Sequence, residues 1–261
     1  MTETIVMIHG MWVGGWCWEN FKSFFEERGY RCRTPTLRLH DVNPKDSPDP
    51  RLGTTGLLDY VEDIENEFSK LDTQPIVMGH SMGGLLAQIL GSRVQPKALV
   101  LLAPAPPSGI IAMKPSMIRS FWSGITTWGF WRKPIRQTFD EAAYSTLNLV
   151  PVAERKEIFS RFVYESGRAV WEIGFWFLDR KNVARGDEAK VSCPALIVAG
   201  GQDRITPASV ARKVADKYRG VSTYKEFSNH AHWLVGEPGW QEIAEYVHGW
   251  LGQLPTGGSR Q

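Results

Sequence analysis

A chain of 261 residues, 43% hydrophobic and 22% charged, fits one large globular domain or two small ones, and these proportions exclude disordered, collagen-like and fibrous readings. Thirty Lys and Arg against 28 Asp and Glu leave a net charge of +2, too even for a nucleic-acid footprint. Three cysteines (Cys17, Cys32, Cys193) make no disulfide framework, and no Cys/His spacing suggests a metal. The 11 Trp are the one compositional excess.

No stretch reaches the ~18 apolar residues of a membrane-spanning helix, and the acidic start Met1-Thr2-Glu3-Thr4 is unlike a secretion signal. The expectation is therefore a cytoplasmic protein without a membrane partner. Thr4 to His9 is a continuous, largely β-branched run, as in a strand buried on both faces. Gly14-Gly15 break the chain before a helix from Trp16 to Arg28, which Gly29 ends. Tyr30 to Thr34 reads as a second strand, and the Pro-rich stretch 35 to 56 as a surface loop. Leu57 to Leu71 carries apolar residues at helical spacing. Pro75 to Met78 is a third strand, Gly83 to Val94 a helix, and Ala98 to Ala103 the most apolar strand.

From Pro104 to about Lys190 no convincing strand appears, only helical pieces separated by Pro and Gly. The alternation then returns with a strand at Ala195–Ala199, a helix at Pro207–Tyr218, a strand at Thr223–Phe227 and a closing helix at Gly239–Leu251. Strands alternating with helices indicate an α/β fold with a mostly parallel central sheet flanked by helices. The core is expected at 1–103 and 191–252, an inserted helical cap at 104–190, and a disordered tail at 253–261.

The sharpest motif is Gly79-His80-Ser81-Met82-Gly83-Gly84, between a predicted strand and a predicted helix. A reversal that tight strains the middle residue and pushes its hydroxyl out above the sheet, with a helix N-terminus beneath to favour developing negative charge. Such a serine needs a base and an orienting acid. Of six histidines, His230 and His232 fall in a loop after the last strand, and His232 is the stronger candidate base. His230 reads as a loop-structuring or solvent-facing residue. Asp203, just past the strand at 195–199, is the candidate acid, because Thr206-Pro207 already supplies a start signal for the next helix. The order Ser81, Asp203, His232 suits a nucleophile-elbow hydrolase. Backbone N–H groups of Met82 and Met11 are the candidate oxyanion donors.

These residues resemble the α/β-hydrolase fold superfamily from Thr4 to Leu251. The opening His9-Gly10-Met11-Trp12-Val13-Gly14-Gly15-Trp16-Cys17-Trp18 is similar to that of the plant methylesterase and hydroxynitrile-lyase branch and its bacterial relatives. The resemblance implies Ser81, Asp203 and His232 as triad, Met11 and Met82 as oxyanion hole, and 104–190 as the cap over the site. Hydroxynitrile lyases carry a Thr after the first His and a Lys after the catalytic His, where this chain has Gly10 and Trp233. That departure favours hydrolysis.

The expected activity is a serine hydrolase, an esterase cleaving carboxylic esters with an apolar acyl or alcohol group. A lyase, perhydrolase or acyltransferase on the same triad, or a slow ligand receptor, remains an alternative. Nine aromatic residues of the insertion (Phe121, Trp122, Trp128, Phe130, Trp131, Trp171, Phe175, Trp176, Phe177) suggest an apolar pocket, about half of them forming the insertion's own core. The candidate substrate contacts are Trp12, His80, Trp122, Trp128, Trp131, Trp171, Trp176 and Trp233. No metal or other cofactor is expected, and the partner is a small-molecule ester rather than nucleic acid. The pairs Arg132-Lys133 and Arg180-Lys181 read as solvated faces. A homodimer is one option the sequence leaves open.

Overall fold

The structure, a computed structural model, describes residues 2–254. The part of the expected disordered tail from Pro255 onward lies outside the described residues. Eight strands follow in chain order: β1 (Thr4–Ile8), β2 (Arg31–Arg33), β3 (Ile76–His80), β4 (Ala98–Leu102), β5 (Pro134–Ile135), β6 (Glu165–Ser166), β7 (Ala195–Gly200) and β8 (Ser222–Phe227). The helices of the core are α1 (Glu19–Glu26), α2 (Leu57–Phe68) and α3 (Met82–Val94). Between β4 and β7 come α4 (Pro115–Ser120), α5 (Trp122–Ile125), α6 (Phe139–Tyr144), α7 (Val152–Ser160) and α8 (Gly167–Gly174), and the chain closes with α9 (Ala208–Lys217) and α10 (Trp240–Leu251).

Six strands form one parallel sheet in the order β2-β1-β3-β4-β7-β8. Every residue of β1, β3, β4 and β7 is buried, which explains their largely apolar sequences; the edge strands β2 and β8 are partly exposed and more polar. Successive side chains go to opposite faces. Val6, Ile8, Val77, Leu99, Leu101 and Ile197 pack with α2, α3 and α9. Ile5, Met7, Met78, Val100, Leu196 and Val198 pack with α1 and α10, where Phe21 and Phe25 meet Ile243 and Val247.

From β1 the chain steps to β2 on one side, then returns to β3 on the other. The carboxyl ends of β1 and β3 therefore flank the switch point, where an open α/β sheet leaves a crevice for ligands.

Two local outcomes differ from the sequence reading. The helix expected from Trp16 begins with a 3-10 turn at Gly15–Trp18 before α1. The stretch expected to lack strands contains the antiparallel pair β5–β6, two residues long on each side and too short to show a period of two. Among the described residues no helix is long and apolar enough to cross a membrane, and no group of three or more His, Cys, Asp or Glu side chains could hold a metal ion.

Candidate active site

Ser81 lies between β3 and α3 with φ 54° and ψ −119°, a conformation that costs a non-glycine residue roughly 1–3 kcal/mol. Its neighbours hold it there. The Ser81 N–H donates to the Leu102 carbonyl (3.0 Å), and its carbonyl accepts from Gly84 and Ala105 N–H (2.9 Å each). The glycines around it are there for close backbone approach: a Cβ on Gly79 would strike the Gly83 carbonyl, and one on Gly83 the Ile8 carbonyl.

Three side chains from separate loops converge. His232 Nε2 is 3.0 Å from Ser81 Oγ, and His232 Nδ1 is 2.7 Å from Asp203 Oδ2. All three residues are buried, so the contacts are shielded from water. Asp203 is not left free by a Thr206–Pro207 cap, contrary to the sequence reading. Thr206 makes no side-chain cap on α9, and Asp203 Oδ1 itself accepts the N–H groups of Ile205 (2.7 Å) and Thr206 (2.8 Å). One carboxylate thus shapes its own loop and holds the imidazole.

His230 is not solvent-facing. It is buried with Nδ1 2.9 Å from Glu237 Oε1, which also accepts the Ala231 N–H (2.7 Å). That carboxyl is pushed above the usual range by its burial, opposed by its hydrogen bonds from Ala231 and His230. The pair organises the loop that carries His232.

His80 proves to be a backbone brace, not a surface of the cavity. Its Nε2–H donates to the His232 carbonyl (2.7 Å), so it links the serine turn to the histidine loop. Burial, followed by the nearby His232, lowers its pKa to about 3, so it stays neutral at ordinary pH. His9 is likewise lowered to about 3, first by burial and then by His40. Neutral His9 accepts the Leu37 N–H at Nε2 (3.0 Å) and donates from Nδ1 to the Gly10 carbonyl (2.8 Å), fixing the loop after β1.

That loop crosses directly above the serine: a Cβ on Gly10 would lie 2.9 Å from Ser81 Cβ. Met11 and Met82 flank Ser81 at the cavity floor, and among the described residues neither backbone N–H has a hydrogen-bond acceptor within the chain.

The cavity has a volume of about 400 Å³. Its walls come from the core (Met11, Ser81, Met82, Ile205, Thr206), from 105–125 and from 170–177, and among the described residues Ser81 and Thr206 supply the only hydroxyl or other small polar side chains. Among the described residues no charged one lines it. Of the eight expected substrate contacts, Trp176 lines this cavity. Trp12 is buried against Phe121 (ring centroids 5.1 Å), and Trp233 is buried against Trp16, His80 and Phe162. Trp122 and Trp128 are exposed, while Trp131 and Trp171 are half-buried outside the lining. The residues that replace them are mostly aliphatic: Met117, Phe121 and Ile125 on one side, Val170 and Ile173 on the other. Val170 and Ile173 share a face of α8 at a spacing of three, whereas Met117, Phe121 and Ile125 span two short helices and the residue between them.

A model of the alpha/beta hydrolase family matches residues 5–245. Over 92 residues, 35% of this chain, it is 33% identical to a carbendazim hydrolyzing esterase of Nocardioides sp., covering 37% of that protein. Over 85 residues, 32% of this chain, it is 33% identical to a pyrethroid hydrolase of Sphingobium wenxiniae, covering 29% of that protein. The chain spans about a third of the length of the curated relatives it matches. Among solved structures, a methylesterase from Arabidopsis superimposes with a TM-score of 0.71 over 96% of this chain and 99% of its own, at 11% identity, which is a likeness of fold. The relatives fall among plant methylesterases and bacterial esterases, as the opening residues suggested. With the sheet order, the strained serine turn and a match over nearly the whole length in agreement, the chain belongs to the alpha/beta hydrolase family.

Proposed function

We propose that this protein is a serine hydrolase cleaving carboxylic esters with an apolar acyl or alcohol group. The observation that carries the reading is the hydrogen-bonded series Ser81–His232–Asp203, opening onto a cavity without a charged side chain. His232, with its Nδ1 proton donated to Asp203, takes the Ser81 proton at Nε2 as Oγ attacks the ester carbonyl. The N–H groups of Met11 and Met82 receive the oxyanion, each donor stabilising the transition state by roughly 2.7–4 kcal/mol. The imidazolium then protonates the departing alcohol, and water repeats the sequence on the acyl-enzyme.

Residues 104–190 act as a cap on a core formed by 1–103 and 191–252, contributing most of the apolar wall that selects the substrate. The relatives named as a carbendazim hydrolyzing esterase and a pyrethroid hydrolase support ester hydrolysis. Lyase chemistry that expels an anion would need a cation at the cavity, and Trp233 stands where the lyases carry one. Purified protein is expected to hydrolyse short p-nitrophenyl esters, and Ser81→Ala to abolish turnover while leaving the melting temperature near wild type. Undiminished hydrolysis by the Ser81→Ala variant would overturn the assignment.

A further inference from the structure

The outer rim of the cavity carries apolar side chains where a protein surface normally has polar ones. Ile111 (69% exposed), Met113 (50%) and Phe177 (55%) line the cavity and also face solvent, and Leu178 (60%) adjoins them. Ring contacts run beneath this rim from Phe177 through half-buried Phe175, buried Phe130 and half-buried Trp131 to Trp128, which is 84% exposed. Exposed apolar residues scattered singly need no explanation, but a connected set around a cavity mouth marks a binding surface.

The charges beside it have one sign. Lys114 follows Met113, Arg132-Lys133 follow Trp131, and Arg180-Lys181 lie just after Leu178. None of these five forms an ion pair among the described residues. Residues 104–139 contain no Asp or Glu. The only acid between 173 and 186, Asp179, is buried and accepts the N–H groups of Lys181 (3.2 Å) and Val183 (3.0 Å).

We propose that this rim seats the protein on an anionic lipid–water interface, with Ile111, Met113, Phe177 and Leu178 entering the acyl boundary and the cations facing the headgroups. The combination of shallow apolar insertion and flanking Lys/Arg is what a surface-adsorbed protein needs, and it requires no spanning segment. The sequence expectation of no membrane partner rested on the lack of such a segment, so it does not bear on adsorption. A second copy docked face to face would set the same cations against one another with no carboxylate to pair them. A lipid surface supplies the opposite charge and also concentrates apolar esters at the mouth of the cavity.

The test is sedimentation of the full chain with vesicles of phosphatidylcholine alone and of equal parts phosphatidylcholine and phosphatidylglycerol. Binding is expected to the mixed vesicles, weakening as salt screens the charges. Each cation near such a surface strengthens adsorption roughly fivefold, so Lys114→Gln/Arg180→Gln/Lys181→Gln should lower the partition on the order of a hundredfold. Leu178→Ser should lower it roughly tenfold by removing one inserted side chain. Ser81→Ala should bind as wild type does, which separates this inference from the reading of the catalytic site. A wild-type protein that stays in the supernatant at low salt overturns the proposal, as does a triple variant that sediments equally well. A dimer in light scattering that Leu178→Ser dissociates, with no vesicle binding, also overturns it in favour of self-association.

Discussion

Asp203→Asn is the substitution whose outcome the geometry constrains most tightly. Asn fills the same space, and its amide can be turned either way. Because Oδ1 accepts the N–H groups of Ile205 and Thr206, the Asn oxygen must stay on that side. The opposite turn would aim an NH₂ at two buried donors, each then costing about 1–3 kcal/mol unsatisfied. The NH₂ is therefore forced toward His232 Nδ1, which must become an acceptor. The ring proton moves to Nε2, facing Ser81 Oγ, and the base can no longer take the serine proton. A comparable tautomer inversion in a serine protease costs about 10⁴ in kcat, or roughly 5.5 kcal/mol at 1.36 kcal/mol per decade. The expected result is a fall in kcat of that order with KM within a few-fold, since Asp203 itself does not line the cavity. Hydrolysis of a p-nitrophenyl ester under saturating substrate reads it directly. A loss of less than about tenfold, in a variant with a wild-type melting curve, would refute the orienting role of Asp203.

Three other expectations follow from single contacts. Gly10→Thr would place a Cβ 2.9 Å from Ser81 Cβ, so kcat/KM should fall roughly a hundredfold as the nucleophile is displaced, with little change in circular dichroism; near-wild-type kinetics would show that the loop yields freely. Met117→Trp should fill part of the apolar cavity and raise KM for long acyl chains far more than for acetate esters, which a chain-length series of p-nitrophenyl esters would reveal. Buried His40 donates from Nδ1 to the Arg38 carbonyl (3.0 Å) and faces Glu165 with Nε2 (3.1 Å); burial alone would lower its pKa, but Glu165 outweighs that and the net shift is upward. A raised folded-state pKa makes this stabilisation complete below about pH 6.5 and lost as pH rises through the folded value, so the melting-temperature gap between wild type and His40→Asn should shrink in alkaline buffer. A gap independent of pH would refute the charged pairing.

What the sequence disclosed and what it withheld divide along the range of the interactions. The serine turn was legible because its requirements lie within six residues: a strand, two glycines at fixed offsets and a helix. The four central strands were legible because burial on both faces leaves a largely apolar string. The cavity wall was not. Of the nine aromatics expected around a pocket, Phe121, Phe175, Trp176 and Phe177 do line it, together with methionine and isoleucine, yet Trp122 and Trp128 stand in solvent and Trp12 and Trp233 pack behind the site. Aromatic content reports that apolar area exists, not which helix face it occupies, and α4 and α5 are too short for periodicity to settle the face. Asp203 was misread in its second role for a related reason: whether Thr206 or Asp203 satisfies the loop N–H groups depends on backbone angles that residue types alone leave open.

The attachment of residues 165–174 fixes where the cavity wall they carry stands. On α8, Val170 and Ile173 face the cavity, while Glu172 turns the other way and accepts the Leu57 N–H at the start of α2 (2.8 Å) and the Arg168 Nε (2.7 Å). Seven residues earlier, on β6, Glu165 takes hydrogen bonds from Tyr60 (2.7 Å) and its own neighbour Ser166 N–H (2.6 Å), beside His40. Burying two carboxylates is costly, and apolar side chains of similar volume would hold the insertion to the core at least as strongly. An apolar contact, however, tolerates a shift of an ångström or a rotation of the helix. A carboxylate that must meet the first N–H of α2 does not, because the displaced state leaves both partners unsatisfied. Gly56, whose added Cβ would sit 3.1 Å from Glu172 Oε1, keeps that approach open. The polar face of α8 therefore sets the register in which its apolar face meets the cavity, and under the proposed function the selectivity of the cavity is fixed on the side of the helix that never touches it.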